Sequence, residues 1–176
     1  MHQKLLQAGL AVLQSDGAAA LTVRRISEEA GCSTTGIYTN FGGKNGLIEA
    51  IYIDGFESFD RALSAAYEAD DLIEAGAAYR RWALANRMQY QVMFGRAVPD
   101  YEPSDVAKER AFSSFMALSD VLERRGAEDP LAQAYHVYAS VHGHVMLELV
   151  GLGPPDPEEV AELYEEGVRL SLAGLA

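Results

Sequence analysis

The chain has 176 residues, 49% of them hydrophobic, with a single cysteine and a formal net charge of −12 at pH 7. That apolar fraction is enough to bury a core and excludes general disorder, while one cysteine excludes an internal disulfide framework or a multi-cysteine zinc site. No apolar run reaches the ~18 residues of a membrane span, and Met1-His2-Gln3-Lys4-Leu5 carries no export pattern, so a cytoplasmic location is expected.

Helical periodicity dominates, and no segment alternates convincingly with period two. A first helix is expected from about residue 3 to Asp16, with Leu6, Leu10 and Leu13 on one side and Gly17 at its end. Thr22 is placed to cap a second, short helix that buries Val23, Ile26 and Ala30 and stops at Gly31. Ser33 is expected to cap a third, whose inner side is Ile37 and Phe41, before Gly42-Gly43 ends it. A long fourth helix starts near Lys44, with Leu47, Ile51, Gly55, Phe59, Leu63 and Ala66 recurring about every four residues. Further helices are expected near 71–88, 104–125, 130–150 and 157–172. The predicted fold is all-α: a helix-turn-helix domain over 1–46 and a helical body over 47–176.

Charge divides the chain in the same way. Residues 1–50 balance Lys4, Arg24, Arg25 and Lys44 against Asp16, Glu28, Glu29 and Glu49, so the entire deficit of −12 lies beyond residue 50. Screening over about 8 Å at physiological salt lets a neutral head act independently of an acidic body.

The segment 22–41 reads as two short helices around a glycine-containing turn, the pattern of a helix-turn-helix. Its second helix presents Thr34, Thr35, Tyr38 and Thr39 opposite Ile37 and Phe41. Hydroxyls of that length reach phosphates and base edges in a major groove, and the helix N-terminus favours a phosphate. Gly36 is expected to allow close approach on that face. Arg24 is placed to pair with guanine, and Lys44, at the N-terminus of the fourth helix, to clamp a phosphate. Thr22 and Ser33 complete the set of expected DNA contacts.

The ordered run Leu21-Thr-Val-Arg-Arg-Ile, then Ala30-Gly31-Cys32-Ser33, Gly36-Ile37-Tyr38, Phe41-Gly42-Gly43-Lys44 and Leu47 closely resembles the DNA-binding domain of the TetR/AcrR family of one-component transcriptional regulators. The resemblance covers about the first 50 residues. It implies a homodimer whose paired third helices enter successive major grooves of a palindromic double-stranded operator, with Arg24, Thr34, Thr35, Tyr38, Thr39 and Lys44 touching DNA. Cys32 departs from the small aliphatic residue usual at its position and reads as a small buried hydrophobe. Almost nothing precedes the first helix, so no basic arm into the minor groove is expected.

In the body, Tyr79, Trp82, Met93 and Phe94, with Phe112, Phe115, Met116, Tyr138, His142 and Met146 from later helices, suit a cavity for a small, mainly apolar effector. Plain core packing would use the same side chains. Tyr138-Ala-Ser-Val-His142-Gly143 resembles the Trp-x-x-x-His-Gly signature of one C-terminal domain type in the family, with tyrosine for tryptophan, and this resemblance favours the ligand-binding reading.

His136 and His142 face away from His144, so no metal site is expected. Without a nucleophile triad, a zinc-protease motif or a phosphate loop, neither catalysis nor a cofactor is expected. The last two helices carry Ala139, Gly143, Val160, Leu163, Tyr164, Gly167, Val168, Ser171 and Leu172, a pattern suited to a four-helix bundle across a two-fold axis. The sequence thus reads as a homodimeric, ligand-released repressor; the alternative is a helical small-molecule binding protein whose head no longer binds DNA.

Overall fold

The computed structural model describes residues 1–95 and 97–173. Among them are nine α-helices and no strand: α1 (His2–Asp16), α2 (Val23–Ala30), α3 (Thr34–Phe41), α4 (Lys44–Glu68), α5 (Leu72–Ala85), α6 (Arg87–Phe94), α7 (Asp105–Arg124), α8 (Pro130–Leu149) and α9 (Pro157–Ala173). A short 3-10 turn, Ala18–Ala20, joins α1 to α2.

Local chemistry explains most of these limits. The Thr22 hydroxyl oxygen accepts from the Arg25 amide at 3.2 Å, taking up one of the amides that a helix start leaves unpaired. Gly31 ends α2 at φ 59°, a left-handed conformation in which a Cβ would crowd the backbone. Asp71, Ser104 and Asp129 cap the starts of α5, α7 and α8 through their side-chain oxygens. Ser33 takes the N-cap position of α3 with extended backbone, but its hydroxyl makes no capping bond.

The one helix expected over 71–88 is two. At Asn86 the backbone leaves helical geometry (φ −119°, ψ 39°), and α6 begins immediately after it.

The chain forms two compact units, Met1–Ser58 with Asn86–Ala111, and Phe59–Ala85 with Phe112–Ala176. The boundary expected after residue 46 falls inside α4. Leu47, Ile48 and Ile51 are fully buried in the same core as Leu5, Leu21, Ile26 and Ile37, and Val92 and Val98 from the α6 region join that core. Burying one such aliphatic side chain is worth roughly 1.5–3 kcal/mol, which ties the first turns of α4 to the head.

In the second unit, Leu72, Leu118, Val121, Leu122, Ala134 and Val137 form the core, with Phe115, Tyr138 and Leu172 packed against it. Gly76 lets α9 approach α5 closely: a Cβ there would stand 3.0 Å from the Val168 methyls. The Tyr164 hydroxyl donates to the Gly76 carbonyl at 2.7 Å.

Candidate nucleic-acid interface and cavities

Ile37 is fully buried and anchors α3, which turns Thr34, Thr35, Tyr38 and Thr39 outward, all exposed. Tyr38 is 58% exposed, and its ring edge lies against Gly43, which holds the phenol close to the start of α4. Among the described residues none of these four side chains makes a hydrogen bond within the chain. Nor does the exposed Ser33 hydroxyl, which leaves it available to an external acceptor or donor. Lys44 stands half-buried at the head of α4, in no ion pair among the described residues.

Two expected contacts turn out differently. Thr22 is exposed, but its oxygen caps α2, so the hydroxyl proton is what remains for a phosphate. Gly36 lies on the inward flank of α3, where an added Cβ would meet Cys32 Sγ at 3.6 Å and Leu5 at 3.9 Å. Both are ordinary van der Waals distances, so the position faces Leu5 and Cys32 without requiring a glycine for packing. Asn40 shares that flank and donates to the Gly36 carbonyl at 2.8 Å.

The basic groups of α2 are held by carboxylates. Arg24 bonds Glu28 at 2.9 Å one turn along the helix, with its side chain 88% exposed. Arg25 is bound by both Asp16 and Glu29, which braces α2 against the end of α1. Those two bonds leave Arg25 as a structural strut, whereas Arg24 has a single solvent-exposed partner to exchange.

Of the residues expected to form one effector pocket, some belong to the first unit and the rest to the second. Met93 and Phe94 belong to the first unit, where with Tyr52, Val92, Val98, Tyr101, Glu102, Pro103 and Lys108 they line a cavity of about 270 Å³. Tyr79, Trp82, Phe115, Tyr138 and His142 belong to the second unit and pack as core. Tyr138 sits edge-on to both Tyr79 (5.8 Å) and Phe115 (5.6 Å), while Phe59 stacks edge-on to Tyr79 and Trp82. The space left beside Tyr79 and Tyr138 is about 20 Å³, room for a water and no more. Phe112 is 57% exposed, and Met116 and Met146 are half-buried. The break at Asn86 is where the aromatic run 79–94 passes from the second unit to the first.

His142 is half-buried with its Nδ1 3.4 Å from the Tyr79 hydroxyl, and burial holds its pKa below the ordinary imidazole value. Nearby, Arg80 makes a bidentate pair with Glu148 (2.6 and 2.7 Å) that joins α5 to α8, its guanidinium 5.7 Å over the Tyr164 ring. A wide groove of about 470 Å³, lined by Asp60, Ser64, Tyr67, Glu68, Asp120 and Arg124 among others, is open and largely acidic. Among the described residues no group of three histidine, cysteine or acidic side chains could hold a metal ion.

The Tyr101 hydroxyl, beside the cavity of the first unit, was not legible in the sequence. It is buried, with no hydrogen-bond partner among the described residues.

Of the residues expected at a dimer interface, several are used within the chain. Tyr164 and Val168 are buried against α5, and Leu172 packs on the core of the second unit. Gly167 leaves room for the His144 ring, whose Nδ1–H donates to the Ser140 carbonyl at 2.8 Å. The Ser171 hydroxyl donates to the Val168 carbonyl, and Val160 is half-buried. Leu163 and Ala139 are exposed, and Gly143 faces open space.

Residues 5–51 match the family model for bacterial regulatory proteins of the tetR family, and residues 72–170 match that for the tetracyclin repressor-like C-terminal domain. The chain belongs to the TetR family. The HTH-type transcriptional regulator Rv1816 of Mycobacterium tuberculosis is 28% identical to this TetR-family chain over 216 residues, taking in 100% of the chain and 92% of Rv1816. The solved regulatory protein SCO4313 superposes with a TM-score of 0.86 at 25% identity, covering 98% of this chain and 95% of that one. PfmR, a TetR-family transcriptional regulator from Thermus thermophilus, shares the fold with a TM-score of 0.70 at 18% identity, with 98% of each chain covered. Membership makes the chain a TetR-family transcriptional regulator with a helix-turn-helix, in a family of DNA-binding proteins rather than enzymes. Among the described residues no helix is long and apolar enough to cross a membrane.

Proposed function

We propose that this TetR-family chain is a repressor that binds a palindromic operator as a homodimer and is released by a small, mainly apolar ligand. The observation that carries the reading is the outer face of α3, where four exposed hydroxyl side chains, without hydrogen bonds among the described residues, stand on a helix fixed by Ile37. Thr34, Thr35 and Thr39 then meet base edges and sugar-phosphate, while Tyr38, Ser33, Thr22 and Lys44 take phosphates. Arg24 exchanges Glu28 for a guanine edge.

Homodimer formation is supported by the outward faces of α8 and α9. Leu131 (49% exposed), Tyr135 (66%) and Leu147 (50%) follow the four-residue repeat of Ala139 and Gly143 along α8, and Leu163 and Leu170 stand exposed on α9. An apolar stripe of that length on an otherwise charged surface suits a second copy presenting the same stripe across a two-fold axis. Ligand release follows where the ligand shifts α4, because Lys44 is the first residue of that helix and moves with it. Linked sites of this kind couple by roughly 1–3 kcal/mol.

The test is a selection of genomic fragments on the purified chain at moderate salt, read by sequencing, with sedimentation equilibrium on the same preparation. A recovered palindrome and a dimer mass are expected, and Tyr135→Glu should yield monomer that no longer retains the palindrome. A monomeric wild-type chain, or no fragment recovered with or without cell extract, would sink the reading and favour a binding protein with an inactive head.

A further inference from the structure

The start of α7 is capped from two places in the chain. Ser104 takes the N-cap position, and its hydroxyl oxygen accepts from the Ala107 amide at 3.2 Å. In a capping box the residue three beyond the cap is Glu or Gln, whose side chain reaches back to the amide of the cap residue. Here that residue is Ala107, which is fully buried, so a carboxylate has no place there. The acceptor comes instead from α4, 55 residues earlier in the chain. Glu49 accepts from the Ser104 amide at 3.2 Å with one carboxylate oxygen and from the Ser104 hydroxyl at 2.8 Å with the other. Its negative charge also stands at the positive end of α7, where it is favoured.

The same two bonds hold α4 from its polar side. At 100° per residue, Leu47, Ile48 and Ile51 centre roughly 150° round the helix from Glu49, and all three are buried in the core of the first unit. The first turns of α4 are therefore gripped between that core and the segment that ends at Ser104. Tyr101 of that segment packs on the same core, its ring 6.3 Å from that of Tyr52, three residues beyond Glu49. Lys44 lies five residues before Glu49 on the same helix, about 7.5 Å along its axis, so a tilt at one moves the other. Tyr38, whose ring lies against Gly43, is placed to follow.

We propose that Glu49 is a positioning residue for DNA binding: by completing the cap of α7 it fixes the heading of α4, and with it the phosphate contacts of Lys44 and Tyr38. The inference rests on the operator-binding reading above and deepens it. Apolar burial holds α4 to the core but is non-directional. Two charge-assisted bonds to one carboxylate add the angular constraint that a phosphate contact requires.

The test measures the affinity of the full chain for the recovered palindrome as a function of salt. Ser104→Asp keeps a residue that caps α7 as well as serine does, but sets a second carboxylate against Glu49. Glu49→Ala leaves Ser104 as the cap and removes the acceptor. Each variant should keep the helix content seen by circular dichroism and bind the palindrome about tenfold more weakly. The salt slope should fall by up to about one per half-site, the share expected of Lys44. Combining either variant with Lys44→Ala should lose less than the product of the separate losses, because both act at one phosphate contact. Joining Glu49→Gln to Ser104→Asp should recover most of the affinity, since the new amide donates to the new carboxylate. Glu49→Ala alone decides the matter where Ser104→Asp loses helix.

Affinity equal to wild type in these variants, losses that multiply with that of Lys44→Ala, or no recovery in the paired variant would each overturn the proposal. A wild-type chain that binds no palindrome sinks the repressor reading and this role with it. Wild-type binding with indifferent variants sinks this role alone.

Discussion

The two compact units reach stability by different means. In the first, α1–α3 close an aliphatic core with Ile51 and their limits are set by caps and glycines within one turn of where they act, while Gln89 and Glu49 fasten residues 86–111 to α4. The second depends on contacts between residues far apart in the chain: the edge-on ring series through Tyr79, Tyr138 and Phe115, the Arg80–Glu148 pair and the Tyr164 bond to Gly76. A reader of grooves needs a rigid platform with an uncommitted polar face, and local rules provide it. The body needs its helices held in register, and polar pairs of fixed geometry do that better than apolar packing alone.

Substitutions can break this contrast. The largest effect is expected from Ile37→Ala, which removes a fully buried side chain from the small core of the first unit and should cost roughly 2–5 kcal/mol. Hydrogen exchange should show protection lost across α1–α3 while α5 and α8 keep theirs; uniform loss would mean that the units unfold as one. Next comes Glu148→Ala, which strands a guanidinium whose side chain is only 20% exposed and should cost about 1.5–3 kcal/mol by chemical denaturation. The double change Arg80→Met with Glu148→Leu should recover much of that loss, since replacing a pair is milder than halving it.

Lys44→Ala should leave stability nearly unaltered, yet weaken every DNA sequence alike and reduce the salt slope by about one per half-site. An unchanged slope would refute the phosphate role. The smallest effect is expected from pH. His142 has its pKa lowered by burial, so acidification through the ordinary imidazole range protonates the unfolded chain first and stability falls, whereas it is level above that range. His142→Gln should flatten the melting temperature across roughly the two pH units around the ordinary imidazole value, and an unaltered profile would place the titrating group elsewhere.

The sequence made the head almost fully legible because its signals are local. Thr22, Gly31 and Gly42 mark helix ends at the residues that form them, and the spacing of Ile37 from the polar residues of α3 identifies the outer face. Gly36 marks the limit of such signals, because a missing side chain looks the same on either flank of a helix. The break at Asn86 was invisible for a related reason: Ala-Asn-Arg-Met contains no glycine or proline, and what ends α5 there is tertiary. Gln89 donates to the Ile51 carbonyl at 3.0 Å and to Asp54 at 3.1 Å, which fixes α6 on α4.

The α9 stripe shows a different limit. Val160, Leu163, Tyr164, Gly167, Val168 and Ser171 share an arc of roughly 140° at 100° per residue, wide enough to meet two different neighbours. Periodicity cannot say that Tyr164 and Val168 meet their own α5 while Leu163 faces solvent.

The Arg24–Glu28 pair has a consequence for how such a regulator diversifies. The residue that governs how readily the guanidinium is released is not the residue placed to touch a base. Under the DNA contacts proposed above, a lineage alters how tightly it holds its operator by substituting Glu28, while the choice of operator stays with Arg24. Strength and target become separately heritable, and a duplicated copy can first weaken its grip and only afterwards acquire a new address.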